Sequence, residues 1–194
     1  MRLLRQHCVY RQVDGVDDRD RLDFARLYAL VGSQENLVWV YRNDDVMDVL
    51  WRENAPHCIR TVRDPDGLMI GIACCHPFVE PLEPKVHGWV EAHELPFPAN
   101  KAVIISCLMV HPSARGNGIA MSLGYECLHW AARAEFEYFM LQASVAIVRR
   151  PAGLCERLDA RSVAKLQGAQ EDRNHIVLAY GRMKDALAGA ECNH

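Results

Sequence analysis

Neither sign of charge dominates this chain, and no stretch of it stays apolar for long. Twenty-two lysines and arginines against 25 aspartates and glutamates leave a formal net charge of −3. The basic field that holds a nucleic-acid backbone is missing, so no nucleic-acid partner is expected. No apolar run approaches the roughly 18 residues that cross a bilayer, which argues against an integral membrane protein. The opening MRLLRQHCVYRQVDG is too polar for a secretory leader, and a cytoplasmic location is expected. The eight cysteines include no Cys-x-x-Cys pair, the spacing typical of zinc and redox sites. Several fall inside apolar runs, so buried free thiols are expected. Cys74, Cys75 and His76 stand together, but neighbours on a strand point to opposite faces and do not readily share one ion; no metal is expected. Internal repeats, linkers and low-complexity segments are also lacking.

What is present is ordinary globular usage, with 50% hydrophobic and 24% charged residues. That favours one compact domain spanning residues 1–194, with a short polar tail from about residue 185. Within RDRLDFARLYALV, Leu22, Ala25 and Tyr28, and beside them Phe24, Leu27 and Val31, recur at three- and four-residue spacings, which predicts an amphipathic helix. RNDDVMDVLW predicts a second, with Asn43 as its cap and Val46, Val49 and Leu50 on one face. IRTVRDPDGLMIGIACC predicts a hairpin turning at Asp64, Pro65, Asp66 and Gly67. Residues 77–100 carry five of the nine prolines and read as a long excursion.

AVIISCLMV, residues 102–110, has the unbroken apolarity of a strand buried on both faces. It runs directly into VHPSARGNGIAMSLG, after which Ile119, Leu123, Cys127, Trp130 and Ala131 line one helical face and Ser122, Glu126, His129 and Arg133 another. EYFMLQASVAIV predicts a further strand, LCERLDARSVAKL a helical or irregular segment, and HIVLAY a final strand. The fold expected is α/β, with a mixed, mostly antiparallel central sheet flanked by helices.

A strand, a glycine-containing turn and a helix in succession suit an anion, because the first amides of a helix and its dipole attract phosphate. Gly116 and Gly118 let the backbone come close. No Gly-Lys-Ser/Thr follows, so this is not a nucleotide-triphosphate loop, and the Gly-x-Gly-x-x-Gly spacing of dinucleotide folds is missing.

LMVHPSARGNGIAMSL resembles the pyrophosphate loop of the Gcn5-related N-acyltransferases (GNAT), whose pattern is Arg/Gln-x-x-Gly-x-Gly/Ala after a strand ending in Val-x-Pro. The resemblance implies that Arg115, Gly116, Asn117, Gly118, Ile119 and Ala120 hold the coenzyme A diphosphate. It makes Leu108, Met109 and Val110 the edge that pairs with pantetheine. A narrower resemblance is to the amino-terminal, myristoyl-CoA-binding half of N-myristoyltransferases. It is carried by LYALV, VWVYRNDDVMDVLW, HCIRTVRDPDGLMIGIACCHP, IISCLMVHPSAR and ASVAIVRRPAGLCERL. The family's Asn-Phe-Leu-Cys-Val-His segment falls on Ser106 to His111, and its Pro-x-Pro-Val-Gly-x-Cys segment on Arg149, Pro151, Gly153 and Cys155. This implies that the backbone amides of Cys107 and Leu108 form an oxyanion hole for a thioester carbonyl. It implies acyl-CoA, either myristoyl-CoA or acetyl-CoA, as cosubstrate, and an amine, either a peptide N-terminus or a small amine, as acceptor.

There are departures. The peptide-binding second half of the myristoyltransferases, whose terminal carboxylate serves as base, has no counterpart before His194; a homodimer could replace it. Ile104 stands where that family has glutamate, and Asp159 and Ala160 replace its His-Arg. Cys155, in LCERL, stands where smaller acetyltransferases often have the tyrosine that protonates the leaving thiolate. Candidate bases are Glu91, His93, Glu94, His111 and the carboxylate of His194; Ser106 is a candidate relay, and Cys155 a nucleophile or acid. The activity expected is long-chain acyl transfer to an amine. Acetyl transfer to a small amine or protein, and non-catalytic acyl-CoA binding, are the alternatives.

Overall fold

The computed structural model describes residues 9–13, 18–35, 58–78, 95–144, 153–166 and 176–191. The predicted helix around Asn43, and residues 79–94 of the proline-rich excursion, lie outside them. Seven strands form one sheet: β1 (Val9–Val13), β2 (Cys58–Arg63), β3 (Met69–Pro77), β4 (Ala102–Val110), β5 (Tyr138–Ser144), β6 (Arg161–Leu166) and β7 (Ile176–Arg182). Their order is β1-β2-β3-β4-β5-β7-β6. β4 and β5 are parallel, whereas β1 with β2, β5 with β7 and β6 with β7 are antiparallel. The helices are α1 (Asp18–Glu35), α2 (Ile119–Arg133), the single turn α3 (Leu154–Arg157) and α4 (Met183–Glu191). This is the mixed, mostly antiparallel α/β sheet with helices that the sequence predicts.

Contacts divide the chain into two compact units, one holding the described residues up to Cys74 together with Cys107–Cys127, the other Cys75–Ser106 with the residues from Leu128 onward. In the first, β2 has a helix on each face. Alternation sends Ile59, Thr61 and Arg63 to one side and Cys58, Arg60 and Val62 to the other. Ile59 joins Phe24, Leu27, Tyr28 and Val31 of α1 in a buried cluster with Met69, Ile72, Cys74 and Met109. On the opposite side Arg60 Nε lies 3.6 Å from Glu126 Oε2 of α2. Of the spacing predicted for α1, Phe24, Leu27, Tyr28 and Val31 form the core stripe, whereas Ala25 is half-buried and Leu22, expected with them, is 53% exposed.

The β2–β3 turn follows from its four residues. Asp64 accepts Leu68 N–H through Oδ1 at 2.9 Å and Gly67 N–H through its carbonyl at 3.0 Å. Pro65 presets the turn, and Gly67 takes φ +82°, a region that costs a side chain. Arg63 closes the corner. One guanidinium nitrogen donates to Asp23 at 2.6 Å and to the Gly67 carbonyl at 2.7 Å, and the other to Asp20 at 2.6 Å. The first turn of α1 is thus pinned to the hairpin.

In the second unit, Phe78, Phe97, Ala102, Ile104 and Met140 form the buried cluster, with Tyr138 and Tyr180 packed against it. Two segments differ from expectation. LCERLDARSVAKL is helical only for its first turn, because Asp159 adopts φ +49° and Ala160 N–H reverses onto the Cys155 carbonyl at 2.8 Å. The chain then leaves as β6, pairing with β7 from Arg161↔Tyr180 to Leu166↔Ile176. The supposed polar tail begins as α4, whose Met183 and Ala186 are buried; one apolar residue per turn is enough to seat a short helix. β1, for which the sequence suggested no element, pairs with β2 from Val9↔Arg63 to Val13↔Ile59.

Candidate functional site

β4 occupies Ala102–Val110, as its apolar run predicts. Its register with β5 runs from Ala102↔Tyr138 to Ile105↔Leu141 and stops there, short of the end of β4. Two residues later Cys107 takes φ +54°, a left-handed conformation that a strand residue with a side chain rarely adopts. A residue of this kind interrupts the ladder and re-aims the amides beside it. Cys107 and Leu108, the predicted oxyanion pair, sit at that irregularity, and both are half-buried. Met109 turns inward at 4% exposure, and Val110 is half-buried.

Past Val110 the chain folds by local chemistry. His111 N–H still donates to the Ile70 carbonyl of β3 at 2.8 Å. Its ring Nδ1 lies 2.7 Å from Ser113 Oγ and accepts Ser113 N–H at 3.3 Å, capping the single 3-10 turn Pro112–Ala114. Accepting at Nδ1 leaves the proton of a neutral ring on Nε2. Arg115 Nε donates to the Val110 carbonyl at 3.3 Å, and Asn117 Nδ2 to the Ala114 carbonyl at 3.1 Å. These bonds fold the loop back onto the strand end.

Gly116 and Gly118 both have positive φ, +80° and +77°, which explains the residue type at each position. The carbonyl of Gly118 closes the first turn of α2 by accepting Ser122 N–H at 3.0 Å. Glycine at this capping position has no side-chain oxygen to satisfy the amides ahead of it, as serine or aspartate would. The amides at the start of α2 have no acceptor within the helix, and its first turn contains no carboxylate. The positive end of the helix dipole is therefore presented without a built-in anion. Arg115 and Gly116 are exposed, Asn117 and Gly118 half-exposed, Ile119 buried and Ala120 half-buried. All of the predicted diphosphate residues thus fall in one short turn that can receive an anion.

The candidate bases gather less well. Glu91, His93, Glu94 and His194 lie outside the described residues, as does the Ser106 side chain. His111 is at the loop, with its Nδ1 engaged by Ser113. Cys155 is 2% exposed, and burial pushes its thiol above the ordinary value, so it is held as a neutral thiol rather than a nucleophilic thiolate. Cys58, Cys74, Cys75 and Cys127 are likewise buried free cysteines. Among the described residues, no three His, Cys, Asp or Glu are placed to hold a metal.

Sequence reasoning missed the left-handed Cys107, because nothing in an apolar run reports a positive φ at a non-glycine residue. It also missed Gly71, which lies under α2. A Cβ there would stand 2.9 Å from Ile119 Cγ2 and 3.1 Å from Leu123 Cδ1. The glycine inside an otherwise bulky strand was the available signal.

A family model described as the acetyltransferase (GNAT) family matches residues 27–154. No curated protein matches by sequence. Solved structures match by fold. A GCN5-related N-acetyltransferase from Kribbella flavida is 15% identical with a TM-score of 0.65, covering 92% of this chain and 99% of its own. The yncA protein of Salmonella typhimurium, assigned as an acetyltransferase and determined with its cofactor acetyl-CoA, is 14% identical with a TM-score of 0.62, covering 91% and 94%. The spermidine/spermine N-acetyltransferase SpeG of Vibrio cholerae is 14% identical with a TM-score of 0.58, covering 95% and 99%.

Proposed function

Because the chain belongs to the acetyltransferase (GNAT) family and is thereby an N-acyltransferase, we propose that it transfers a short acyl group, acetyl in the simplest case, directly from coenzyme A to an amine. The observation that carries this reading is the turn Arg115–Gly118. Two left-handed glycines there lead into a helix with neither a side-chain cap nor an acidic first turn. Myristoyl transfer was the finer expectation from sequence. The comparisons support the superfamily and give that specificity no support, whereas the acetyl-CoA bound by the Salmonella protein favours the short chain.

In this reading the diphosphate of acyl-CoA lies against the amides from Gly116 to Ala120, with Arg115 beside it. Pantetheine runs along Leu108, Met109 and Val110. The Arg115 bond to the Val110 carbonyl leaves Leu108 and Met109 as the more available part of that edge. The acceptor amine, deprotonated, attacks the thioester carbonyl. The amides of Cys107 and Leu108 stabilise the resulting oxyanion, a contribution worth about 3–4 kcal/mol where a single donor has been removed from comparable sites. Collapse breaks the carbon–sulfur bond, the amine nitrogen gives up its proton, and the departing thiolate gains one.

Thermal stabilisation by free CoA, acetyl-, octanoyl- and myristoyl-CoA tests the reading, since a ligand that binds only the folded state at a hundredfold its Kd adds about 2.7 kcal/mol. Equal responses to free CoA and acetyl-CoA, with CoA released when amines are added, are expected. A response that grows up to the myristoyl chain would restore long-chain transfer. Binding without turnover on any amine would make the protein an acyl-CoA-binding module, and no response at all would sink the coenzyme A assignment.

A further inference from the structure

A polar cavity of about 230 Å³ lies within the second unit, beside β5, β6 and β7, and uses none of the residues of the glycine turn. Its walls follow from strand register. Tyr138 pairs with Arg182, and Tyr180 with Arg161; paired residues share a face of the sheet, as do Tyr180 and Arg182 at alternate positions on β7. Two guanidiniums therefore stand diagonally on one face, near enough for long side chains to meet. Asp159 and Asp185 complete the rim. Among the described residues, none of these four charges has an ion-pair partner within 4.0 Å, although opposite signs line one small cavity.

The floor is fixed by packing. Gly181 contributes only its backbone to the cavity, because a Cβ there would point to the opposite face of the sheet, where it would meet the Phe139 ring at 2.6 Å and the Asp159 carbonyl at 3.2 Å. Phe97 stacks on Tyr138, with centroids 4.9 Å apart at 17°, and leans on Tyr180 at 5.3 Å. The two phenols are thus held rigidly beside the arginines. Asp159 occupies the left-handed position that ends α3, where glycine or asparagine is usual. A charged residue at φ +49° costs the local backbone, and among the described residues it gains no ion-pair partner.

We propose that this cavity binds a small amphoteric molecule of the size of a free amino acid. Arg161 and Arg182 would receive its carboxylate, Asp159 and Asp185 its ammonium group. Two guanidiniums lining one cavity favour an anion there, and the two carboxylates a cation; one zwitterion satisfies both. Pockets that enclose drug-sized ligands span about 300–1,000 Å³, so the volume selects something smaller.

The test is amide chemical-shift titration of the 194-residue chain with the twenty common L-amino acids, followed by norvaline with its two half-charged analogues, butylamine and pentanoate. Saturable shifts at Tyr138, Tyr180 and Gly181 for at least one amino acid are expected, with the half-charged analogues at least tenfold weaker. Arg182→Gln and Asp185→Asn, both at exposed positions, should each weaken binding tenfold or more while leaving the rest of the spectrum intact. The proposal is overturned if no amino acid moves those amides, if pentanoate or butylamine binds as well as the zwitterion, or if both substitutions leave affinity unchanged.

Discussion

Gly71 of β3 lies so close beneath α2 that a methyl group at that position would stand 2.9 Å from Ile119 Cγ2. The contact sets how near the first turn of α2 comes to the strand beside β4, and so where the amides at Gly118 and Ala120 are held. Gly71→Ala should cost roughly 1–3 kcal/mol by overpacking. The same change in an Ile119→Ala background, where Cγ2 is gone, should cost less, giving a favourable coupling of about 0.5–3 kcal/mol in a double-mutant cycle by urea denaturation. Purely additive costs would show that α2 is not seated on this glycine.

Gly116 and Gly118 share a positive φ but differ in what a side chain would do. A Cβ at Gly116 meets nothing within 4 Å, so Gly116→Ala carries only the left-handed backbone cost of roughly 1–2 kcal/mol. Gly118 caps α2 and opens onto its free amides. Gly118→Val should therefore weaken free CoA binding at least tenfold by calorimetry, with Gly116→Ala affected several times less. Undiminished CoA affinity in Gly118→Val would remove the diphosphate from this turn.

The strand β4, the turn and the helix α2 were legible because each has a local cause: an apolar run, two glycines and a three-to-four-residue stripe. The hairpin was legible in Asp-Pro-Asp-Gly for the same reason. β6 was not, because its first residue, Arg161, follows a helix stop created by the backbone of Asp159, a residue type that does not announce a left-handed turn as glycine does. β1 and α4 were missed because they are ordered by what they meet, β2 in one case and, in the other, β7 and the residue before β5; Met183 N–H donates to the Glu137 carbonyl at 2.9 Å. The anion-binding half of the candidate site could be read from residue types. The proton-transfer half could not, since a base is defined by reach to a substrate and no spacing encodes it.

Arg63 Nη2 lies 2.6 Å from Asp20 Oδ1, with the Asp20 side chain 1% and the Arg63 side chain 13% exposed. Removing the cation takes the counter-charge from a buried carboxylate, so Arg63→Met should cost about 3–5 kcal/mol. Burial by itself lowers the pKa of Arg63, but hydrogen bonds to Asp20 and Asp23 outweigh it and raise the value above the ordinary arginine range. A raised pKa contributes stability that is complete below the ordinary arginine value and lost only as the pH rises past the raised one. The difference in stability between the parent and Arg63→Met should therefore stay level from pH 6 to 10 in denaturation experiments. A loss under 1 kcal/mol would make the corner dispensable.

Buried thiols give the chain an alkaline limit. Cys58 is raised above 9.0 by its hydrogen bond with Cys127 and then by burial, and Cys155 is raised by burial. Below 9.0 both are protonated whether the chain is folded or not, and stability is unaffected. As pH climbs past 9.0 the unfolded chain loses these protons first, so stability falls by up to about 1.4 kcal/mol per pH unit for each thiol. Comparing the parent with Cys58→Ala/Cys155→Ala by urea denaturation at pH 8, 9.5 and 10.5 isolates the effect from the lysines and tyrosines common to both. The variant should start less stable, because two cavities are opened, and then lose less as the pH rises, so that the two curves converge. Parallel curves would mean that these thiols ionise as readily in the folded protein as in the unfolded chain, which buried side chains beside Cys127 and within α3 cannot do.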